Sequence, residues 1–323
     1  MRRFYLHFKF WIFFILGLSV ILLTYSAGRR YQARKKIAPE ILSIDKDHWR
    51  TGWMSAFVLP ADSINISNDS PESSSLTAIS SSGKLIQKGT GTWCWHAPTK
   101  PGVFTINLIQ LEQQDTMHIQ AFVLTPFRQL SETLLNGYKI GNYPETKLRG
   151  LTNYAYPKGF IEVTEKNQNT WLSPHFQLKQ FLCKQASVPQ YIVLRPKLII
   201  KLELILSKLN KMGFHLKTLH IMSGYRTPVY NRNIGNVKYS RHIYGDAADI
   251  FIDVDENGLM DDLNKDGQVD FQDAEWLFDQ IDAWSDLTEF EPLIGGLSAY
   301  PATSAHGPFV HVDTRGFKTR WGD

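Results

Sequence analysis

The chain has 323 residues, of which 43% are hydrophobic and 20% are charged, and this composition excludes a disordered protein. Its net charge of +4 lies largely in two basic clusters beside the first apolar segment, so a nucleic acid is not expected as a partner. Two cysteines, Cys94 and Cys183, exclude a scaffold stapled by disulfides; one bridge between them and two buried thiols are both compatible with the sequence.

The first predicted element is an apolar helix at residues 10–27, which carry no charge and are just long enough to span a bilayer. A cleaved signal peptide is the alternative, but the bulky Tyr25 breaks the small-residue pattern that a cleavage site before Gly28 would need. We therefore predict an uncleaved membrane anchor with its basic flank at residues 1–36. Lys and Arg are more numerous after the apolar run than before it, which by the positive-inside rule would leave the remainder in the cytoplasm. The prediction that the rest of the chain lies outside the membrane therefore depends on the function inferred below from the site, and the charge count does not support it.

Residues 37–127 are predicted to form a β-sandwich. Runs of alternating residues, separated by Gly, Pro, Asn and Asp, predict strands within 84–98, 101–112 and 115–126. Residues 67–82 are rich in serine and indicate a loop. The stretch WHAPTKPGVFTI resembles the end of an immunoglobulin-like domain, and such a domain would act as a spacer or a binding module without a catalytic role.

A connecting region at residues 128–172 precedes a C-terminal unit at residues 173–323. Apolar residues recur every three or four positions over 195–212 and Gly213 follows them, which predicts a helix with its C-cap. Further predicted elements are a helix opening at Ser173 and strands at 216–222, 247–252 and 309–313. The fold class is therefore predicted to be α+β, with a small antiparallel sheet in the C-terminal unit.

The segment SRHIYGDAADI carries a candidate metal site. It places His242 seven residues before Asp249, and Gly245 between them suits a tight turn. His311, in the predicted strand FVHVD, supplies a third ligand of a type that zinc accepts. A catalytic zinc ion takes three protein ligands and keeps a fourth position for water. A His and an Asp at this spacing are more often structural when they stand alone, so the assignment depends on neighbouring motifs.

Three motifs in this order, SGYRTPVYN, SRHIYGDAADI and FVHVDTRG, resemble the D-alanyl-D-alanine carboxypeptidase superfamily of zinc peptidases. That superfamily includes murein endopeptidases, phage endolysins and the hedgehog signalling domain. The resemblance covers roughly residues 173–317. It implies that Arg226 grips the substrate carbonyl or carboxylate and that Ser240 has a supporting role. The zinc ligands that it implies are His242, Asp249 and His311.

The general base is displaced relative to this family. Many members place a glutamate or histidine two or three residues before the final zinc histidine, where this chain has Phe309 and Pro308. Side chains alternate along a strand, so Asp313 is expected on the same face as His311 and is the favoured base. His306, in a loop rich in Gly and Pro, is the second candidate. The alternative role for Asp313 is to orient a histidine.

An acidic segment after the Asp249 strand is predicted to bind calcium. Residues 262–273 follow the order of an EF-hand loop, in which alternate oxygens wrap a hard cation and a glycine at the sixth position permits a sharp turn. The predicted ligands are Asp262, Asn264, Asp266, Gln268 and Asp273. The form DxNxDGxVxxxD resembles the loops of dockerin modules, and a half-match overlaps it from Asp253. Calcium would be structural within an insertion at 253–284; the alternative is a plain acidic surface loop.

These features together predict a zinc metallopeptidase of the D,D- or L,D-carboxypeptidase or endopeptidase type, acting on peptidoglycan stem peptides or cross-links. The predicted location is the bacterial cell envelope, with the anchor in the inner membrane and the catalytic unit outside. Tyr225, the favoured aromatic candidate for substrate binding, and Tyr244 and Tyr300 suit either a cleft or the core. The alternative function is a zinc-containing module that binds peptidoglycan without cutting it, since the hedgehog domain shows that this fold can lose turnover.

Overall fold

The computed structural model describes residues 42–44, 47–49, 52–68, 76–110, 115–128 and 133–322. The predicted anchor at residues 1–36 and residues 69–75 of the predicted serine-rich loop lie outside these ranges. The loop prediction is wrong for residues 76–80, which form a strand. Among the described residues, no helix combines the length and the apolar composition that crossing a membrane requires.

Strands dominate the described chain up to residue 123. In chain order they are β1 (Leu42–Ile44), β2 (Asp47–Trp49), β3 (Trp53–Val58), β4 (Ser63–Asn68), β5 (Leu76–Ser80), β6 (Lys84–Gly89), β7 (Thr92–His96), β8 (Gly102–Gln110) and β9 (Asp115–Val123). One sheet has the order β2-β1-β4-β7-β6 and the other has the order β3-β9-β8-β5. All neighbours are antiparallel except β3 and β9, which pair in parallel. Strands β6 to β9 lie within the three runs predicted as strands.

The two sheets contribute their apolar faces to one core. Strand β4 buries Ile64 and Ile66 and turns the alternate residues outward, as a half-buried strand should. Trp95 of β7 is fully buried, and its ring centroid lies 6.3 Å from that of Phe104 on β8 of the other sheet. The facing sheets fit a β-sandwich, and the immunoglobulin-like assignment stays a prediction. Cys94 and Cys183 are both buried free thiols, which decides between the alternatives left by the sequence.

Five short strands follow: β10 (Thr125–Pro126), β11 (Leu134–Leu135), β12 (Tyr138–Lys139), β13 (Gly159–Val163) and β14 (Gln190–Ile192). The middle three lie in the connecting region. β10, β13 and β14 form one sheet, and β11 pairs with β12 in a hairpin. The prediction of a helix that begins at Ser173 is wrong. A tight turn forms there because the N–H of Leu172 donates to the carbonyl of Phe176, and only a 3-10 turn at Leu178–Phe181 follows.

The C-terminal unit places helices around one antiparallel sheet. Its elements are α1 (Pro196–Lys211), β15 (His220–Ser223), α2 (Pro228–Asn233), β16 (Ala247–Phe251), α3 (Phe271–Trp284), β17 (Gly296–Tyr300), β18 (Phe309–Asp313) and β19 (Thr319–Arg320). The sheet order is β15-β16-β18-β17-β19, and only β17 and β19 pair in parallel. This arrangement confirms the predicted α+β class, although strand β15 is shorter than predicted.

Helix α1 confirms the prediction at residues 195–212. Proline at its first position suits a helix start, because the missing N–H would have no partner there, and Gly213 follows its end at a φ of +99°. Its apolar stripe is buried. The stripe comprises Leu198, Ile199, Leu202, Ile205, Leu206 and Leu209.

Arg241 fastens the connecting region to the C-terminal unit. Its guanidinium donates to both carboxylate oxygens of Asp246 and to the carbonyl of Asn153 at 3.2 and 3.3 Å. The group also lies 4.2 Å from the ring centroid of Tyr154 and 4.8 Å from that of Tyr244, within range of cation–π attraction. Arg241 and Asp246 are both buried, so neither charge is compensated by water. The connecting region is therefore packed against the C-terminal unit.

Replacing Arg241 by alanine is expected to lower the free energy of unfolding by about 3–5 kcal/mol, because Asp246 would remain buried without its partner. Chemical denaturation of the purified variant measures this change. Arg241→Met combined with Asp246→Leu should recover much of the loss, and Lys166→Ala, at an exposed position, should change little. A loss below about 1 kcal/mol for Arg241→Ala would contradict a fastening role.

Candidate metal centre

Three side chains predicted as ligands converge at the middle of the C-terminal sheet. Asp249 on β16 and His311 on β18 are direct partners in the antiparallel register, so their side chains leave the same face of the sheet. His242 reaches them from a 3-10 turn at Arg241–Tyr244. The turn ends at Gly245, whose φ is +74° and where a Cβ atom would lie 2.3 Å from the carbonyl oxygen of Val193. Only glycine fits there, and this brings the turn back onto β16.

The three ligand atoms form a nearly equilateral triangle. His242 Nε2 lies 3.1 Å from Asp249 Oδ1, which lies 2.9 Å from His311 Nδ1, and the two nitrogens are 3.2 Å apart. Ligands of a tetrahedral zinc ion with bonds of about 2.0 Å lie about 3.3 Å from one another. All three residues are buried. Two imidazole nitrogens and one carboxylate oxygen at this spacing fit a zinc ion with a fourth position free for water.

Each histidine is fixed by the nitrogen that faces away from the centre. His242 Nδ1 lies 2.7 Å from the carbonyl oxygen of Gly224, so it donates and Nε2 presents its lone pair. His311 Nε2 lies 3.2 Å from Asp313 Oδ2 and donates in the same way. Burial lowers the pKa of His242, which favours the neutral, ligating form. Burial also opposes the charge on His311, but hydrogen bonds to Asp249 and Asp313 outweigh it and raise its pKa, so a cation would compete with a proton there.

Arg226 holds the second oxygen of Asp249. Its guanidinium donates to Asp249 Oδ2, and its Nε donates to Ser223 Oγ at 2.9 Å. Burial alone would raise the pKa of Asp249, but the charge and hydrogen bond of His242, with those of His311, hold that pKa well below its usual range. Arg226 therefore lies at the metal centre, as the sequence predicted, and it contacts the ligand Asp249.

Asp313 is turned away from the triangle. Its Oδ1 accepts from the backbone N–H of Gly296 at 2.8 Å, and both of its oxygens accept from Arg315. Lys201 Nζ donates to its backbone carbonyl at 2.8 Å. Burial would raise the pKa of Asp313, but His311 and Arg315 hold it well below its usual range. This geometry corrects the favoured assignment of Asp313 as general base, because the carboxylate faces the rear nitrogen of His311 and orients that ring.

Two glycines permit the close packing around Asp313. A Cβ atom on Gly295 would lie 1.9 Å from the carbonyl oxygen of Asp313, and one on Gly296 would lie 2.5 Å from its Oδ2. Both distances are far below van der Waals contact. The pair at 295–296 therefore lets strand β17 approach the carboxylate and donate its N–H.

His306 lies in the loop between β17 and β18. Its ring meets the ring of Phe309 edge-on with centroids 5.0 Å apart, and its Nδ1 lies 2.8 Å from the carbonyl oxygen of Gly307. Phe309 precedes His311 by two positions on β18, so both point to the same face of the sheet. His306 therefore lies beside a residue of the face that carries the metal ligands, and it is partly exposed.

The predicted substrate-contacting residues separate into core and loop. Tyr225 is 1% exposed and its hydroxyl lies 3.1 Å from that of Tyr143, which places it in the core and corrects its assignment to substrate binding. Tyr244 is also fully buried. Tyr300 stacks on the ring of Phe309. Ser240 is buried directly before the His242 turn, and its carbonyl accepts the N–H of Ile243 at 3.2 Å; its part in substrate binding stays a prediction.

Sequence reasoning missed several residues that support the centre. Arg315 and Lys201 hold Asp313, and the ring of Trp321 lies 5.3 Å from that of His311. Trp321 also donates to the hydroxyl of Tyr300 at 2.7 Å. Arg315 in HVDTRG and Trp321 in RWG could have been found from the sequence. A cation or an aromatic ring a few residues from a buried carboxylate and histidine often packs against them. Lys201 had no such signal within its helix.

The predicted calcium loop is closed by its own hydrogen bonds. Asp262 accepts from the backbone N–H of Lys265 and Gly267, and the φ of Gly267 is +89°. Asp273 is fully buried and accepts from the N–H groups of Leu263 and Asp270. The other predicted ligands, Asn264, Asp266 and Gln268, lie in the same loop. Calcium binding to these residues stays a prediction.

The overlapping half-match is a repeat of the same loop. Residues 253–261 (DVDENGLMD) and 262–270 (DLNKDGQVD) share the order of acidic residues, glycine and final aspartate. Asp253 accepts from the N–H of Gly258 at 2.9 Å, just as Asp262 accepts from that of Gly267 at 2.8 Å. The carboxylates of Asp253, Asp255 and Asp261 gather within 4.8 Å of one another. The sequence analysis had not singled out Asp261.

Comparison with known families agrees with the site. Residues 174–271 match the family model described as Peptidase M15, and this segment is less than a third of the chain. It includes Arg226, His242 and Asp249 and ends before His311. A comparison with curated proteins finds no match. The match and the His–Asp–His triangle together support a zinc metallopeptidase of this kind.

Asp313→Asn is expected to lower zinc affinity by about 10- to 100-fold, because the amide no longer fixes His311 with a charged acceptor. His311→Ala should abolish tight zinc binding, and His306→Ala should leave it unchanged. Competition with a chromogenic chelator measures all three. Equal affinity for Asp313→Asn and the unmodified protein would contradict the orienting role.

Proposed function

We propose that the chain is a zinc-dependent peptidase that hydrolyses peptide bonds in peptidoglycan stem peptides or their cross-links. One observation carries the proposal: His242, Asp249 and His311 converge in a buried triangle of zinc-ligand spacing, in a region that matches Peptidase M15 over residues 174–271. The choice of peptidoglycan rests on the family resemblance. The same geometry serves trimming of peptide ends and opening of cross-links.

The residues divide the chemistry between them. Zinc, when held by the triangle, supplies a Lewis acid that polarises the substrate carbonyl and acidifies water. Arg226 lies against the ligand Asp249 and would donate to the carbonyl oxygen as negative charge develops on it. Asp313 holds the ring of His311 in its ligating orientation.

His306 is the better-placed candidate for proton transfer. Histidine is the residue that most often serves as a general acid or base, and this one is partly exposed beside Phe309. We propose that it takes a proton from the attacking water and returns it to the leaving amine. The contacts of Asp313 with His311 and Arg315 favour an orienting role for it over this step.

We propose that the enzyme works at the cell envelope, anchored in the membrane. Peptidoglycan lies outside the cytoplasmic membrane, so residues 10–27 would anchor the chain in that membrane with the catalytic unit outside. The alternative function, a zinc-containing module that binds peptidoglycan without cutting it, is favoured by the absence of an acid or base at Pro308 and Phe309.

Digestion of purified peptidoglycan by the full-length protein, with the products identified by mass, tests hydrolysis. The unmodified protein should release defined fragments, and His311→Ala should release none. His306→Ala should lower kcat by about 10²- to 10⁴-fold while its zinc content stays full, as loss of a general base predicts. An unchanged kcat would remove His306 from the mechanism, and no release by the zinc-loaded unmodified protein would favour the binding module.

We further propose that calcium stabilises the acidic segment at 253–284. The support is the loop order at 262–273, with Gly267 in the left-handed conformation that the sixth position requires. Such a site is structural, since it joins the end of β16 to α3, which packs against β17 and β18. Zinc and calcium would then have separate effects on activity and stability.

Calcium at 100 times its dissociation constant is expected to raise the free energy of unfolding by about 2.7 kcal/mol. Thermal unfolding of the zinc-loaded protein, with and without calcium, measures the shift. Asp262→Ala should abolish the shift and keep the zinc content unchanged. The same shift in Asp262→Ala, or none in the unmodified protein, would contradict calcium binding by this loop.

A further inference from the structure

A groove of about 940 Å³ borders the turn that carries His242. One wall is the loop at residues 142–146 of the connecting region, and the other is α2 with the loop that follows it. The walls are joined where Val229 N–H donates to the carbonyl of Ile140, and where the Tyr239 hydroxyl donates to the carbonyl of Thr146. The loop wall lies outside the segment that matches Peptidase M15, and the other wall lies inside it.

The groove adjoins the residues of the centre. Its floor includes Ile243, which directly follows the ligand His242, and Pro228, which lies two positions after Arg226. The N–H of Arg226 donates to the carbonyl of His242 at 3.3 Å, so the two floor segments are bonded to each other. The groove therefore borders both chain segments that carry residues of the centre.

One residue of the groove lining carries a buried acceptor that has no partner among the described residues. Asn231 lines the groove and is 3% exposed, yet its Oδ1 has no hydrogen-bond partner among the described residues. The orientation of the amide is fixed because its Nδ2 donates to the carbonyl of Val237 at 3.0 Å. A buried acceptor left unpaired is costly, so a ligand N–H that reached it would be favoured.

The charges of the groove indicate the ligand. Arg232 and Lys238 are exposed on one wall, and neither forms an ion pair with a carboxylate in the described part of the chain. Glu145 stands on the opposite wall. Guanidinium and ammonium groups complement carboxylates, and Glu145 complements an amino group. Tyr143, the aromatic lining residue, is buried and offers no open face on which a sugar ring could stack.

We propose that this groove binds the acidic part of a stem peptide, with a free carboxylate at Arg232 and Lys238 and a peptide N–H at Asn231. This inference rests on the proposed function, since it names the part of the substrate that lies away from the cut bond. The connecting region would thus contribute to substrate choice through its wall at residues 142–146.

The test compares two synthetic stem peptides that differ only at the D-glutamate carboxyl, which is free in one and amidated in the other. In Arg232→Gln combined with Lys238→Gln, KM for the free form should rise about tenfold with kcat unchanged, and KM for the amidated form should not move. Lys166→Gln, which removes an exposed charge far along the chain from the groove, is the matched control. An equal change for both peptides, or no change for either, would overturn the proposal.

Binding separates this inference from the proposed hydrolysis. Calorimetric titration of the full-length His311→Ala variant with the same peptides measures affinity without turnover. Preference for the free carboxylate that disappears when Arg232 and Lys238 are also replaced supports the groove, even if the unmodified protein cuts nothing. Hydrolysis by the unmodified protein without such a preference would support the peptidase function and contradict peptide binding in the groove.

Discussion

The register between β16 and β18 is the constraint on which the centre depends. It sets Asp249 directly opposite His311, so a nitrogen and an oxygen arrive side by side on one face of the sheet. Because side chains alternate along a strand, a slip of one residue would turn one of the two ligands to the opposite face. The buried apolar residues on both strands oppose such a slip. The same packing that stabilises the sheet therefore sets the spacing of the ligands.

A second layer fixes what the register brings together. Each ligand turns one polar atom toward the triangle and bonds through the other to a fixed partner. His242 bonds to the carbonyl of Gly224, Asp249 to Arg226, and His311 to Asp313. These partners choose the tautomers and remove the freedom to rotate, which is how proteins prepare a metal site before the ion arrives. The centre thus depends on groups that are drawn from separate stretches of the chain.

The local sequence pattern predicted the helices and strands well, but it predicted the contacts between distant residues poorly. The spacing of apolar residues gave α1, and the alternation of residues together with motif order gave β16, β18 and the three ligands. Alternation also placed Asp313 on the face of His311, but it carries no information on Arg315, which turns the carboxylate to the rear of the ring. Tyr225 was misplaced for the same reason, since its partner Tyr143 is 82 residues away. Contacts at such separation are set by packing and not by local pattern.

The long separation of the ligands has a consequence for the order of folding. His242 and His311 are 69 residues apart, and the acidic segment and α3 lie between them. Closing so long a loop costs entropy that is recovered only when β18 enters the sheet. A growing chain that has produced SRHIYGDAADI therefore holds two ligands and no triangle. Any chemistry that needs all three is acquired in one late step, so incompletely synthesised or partly folded copies stay inert.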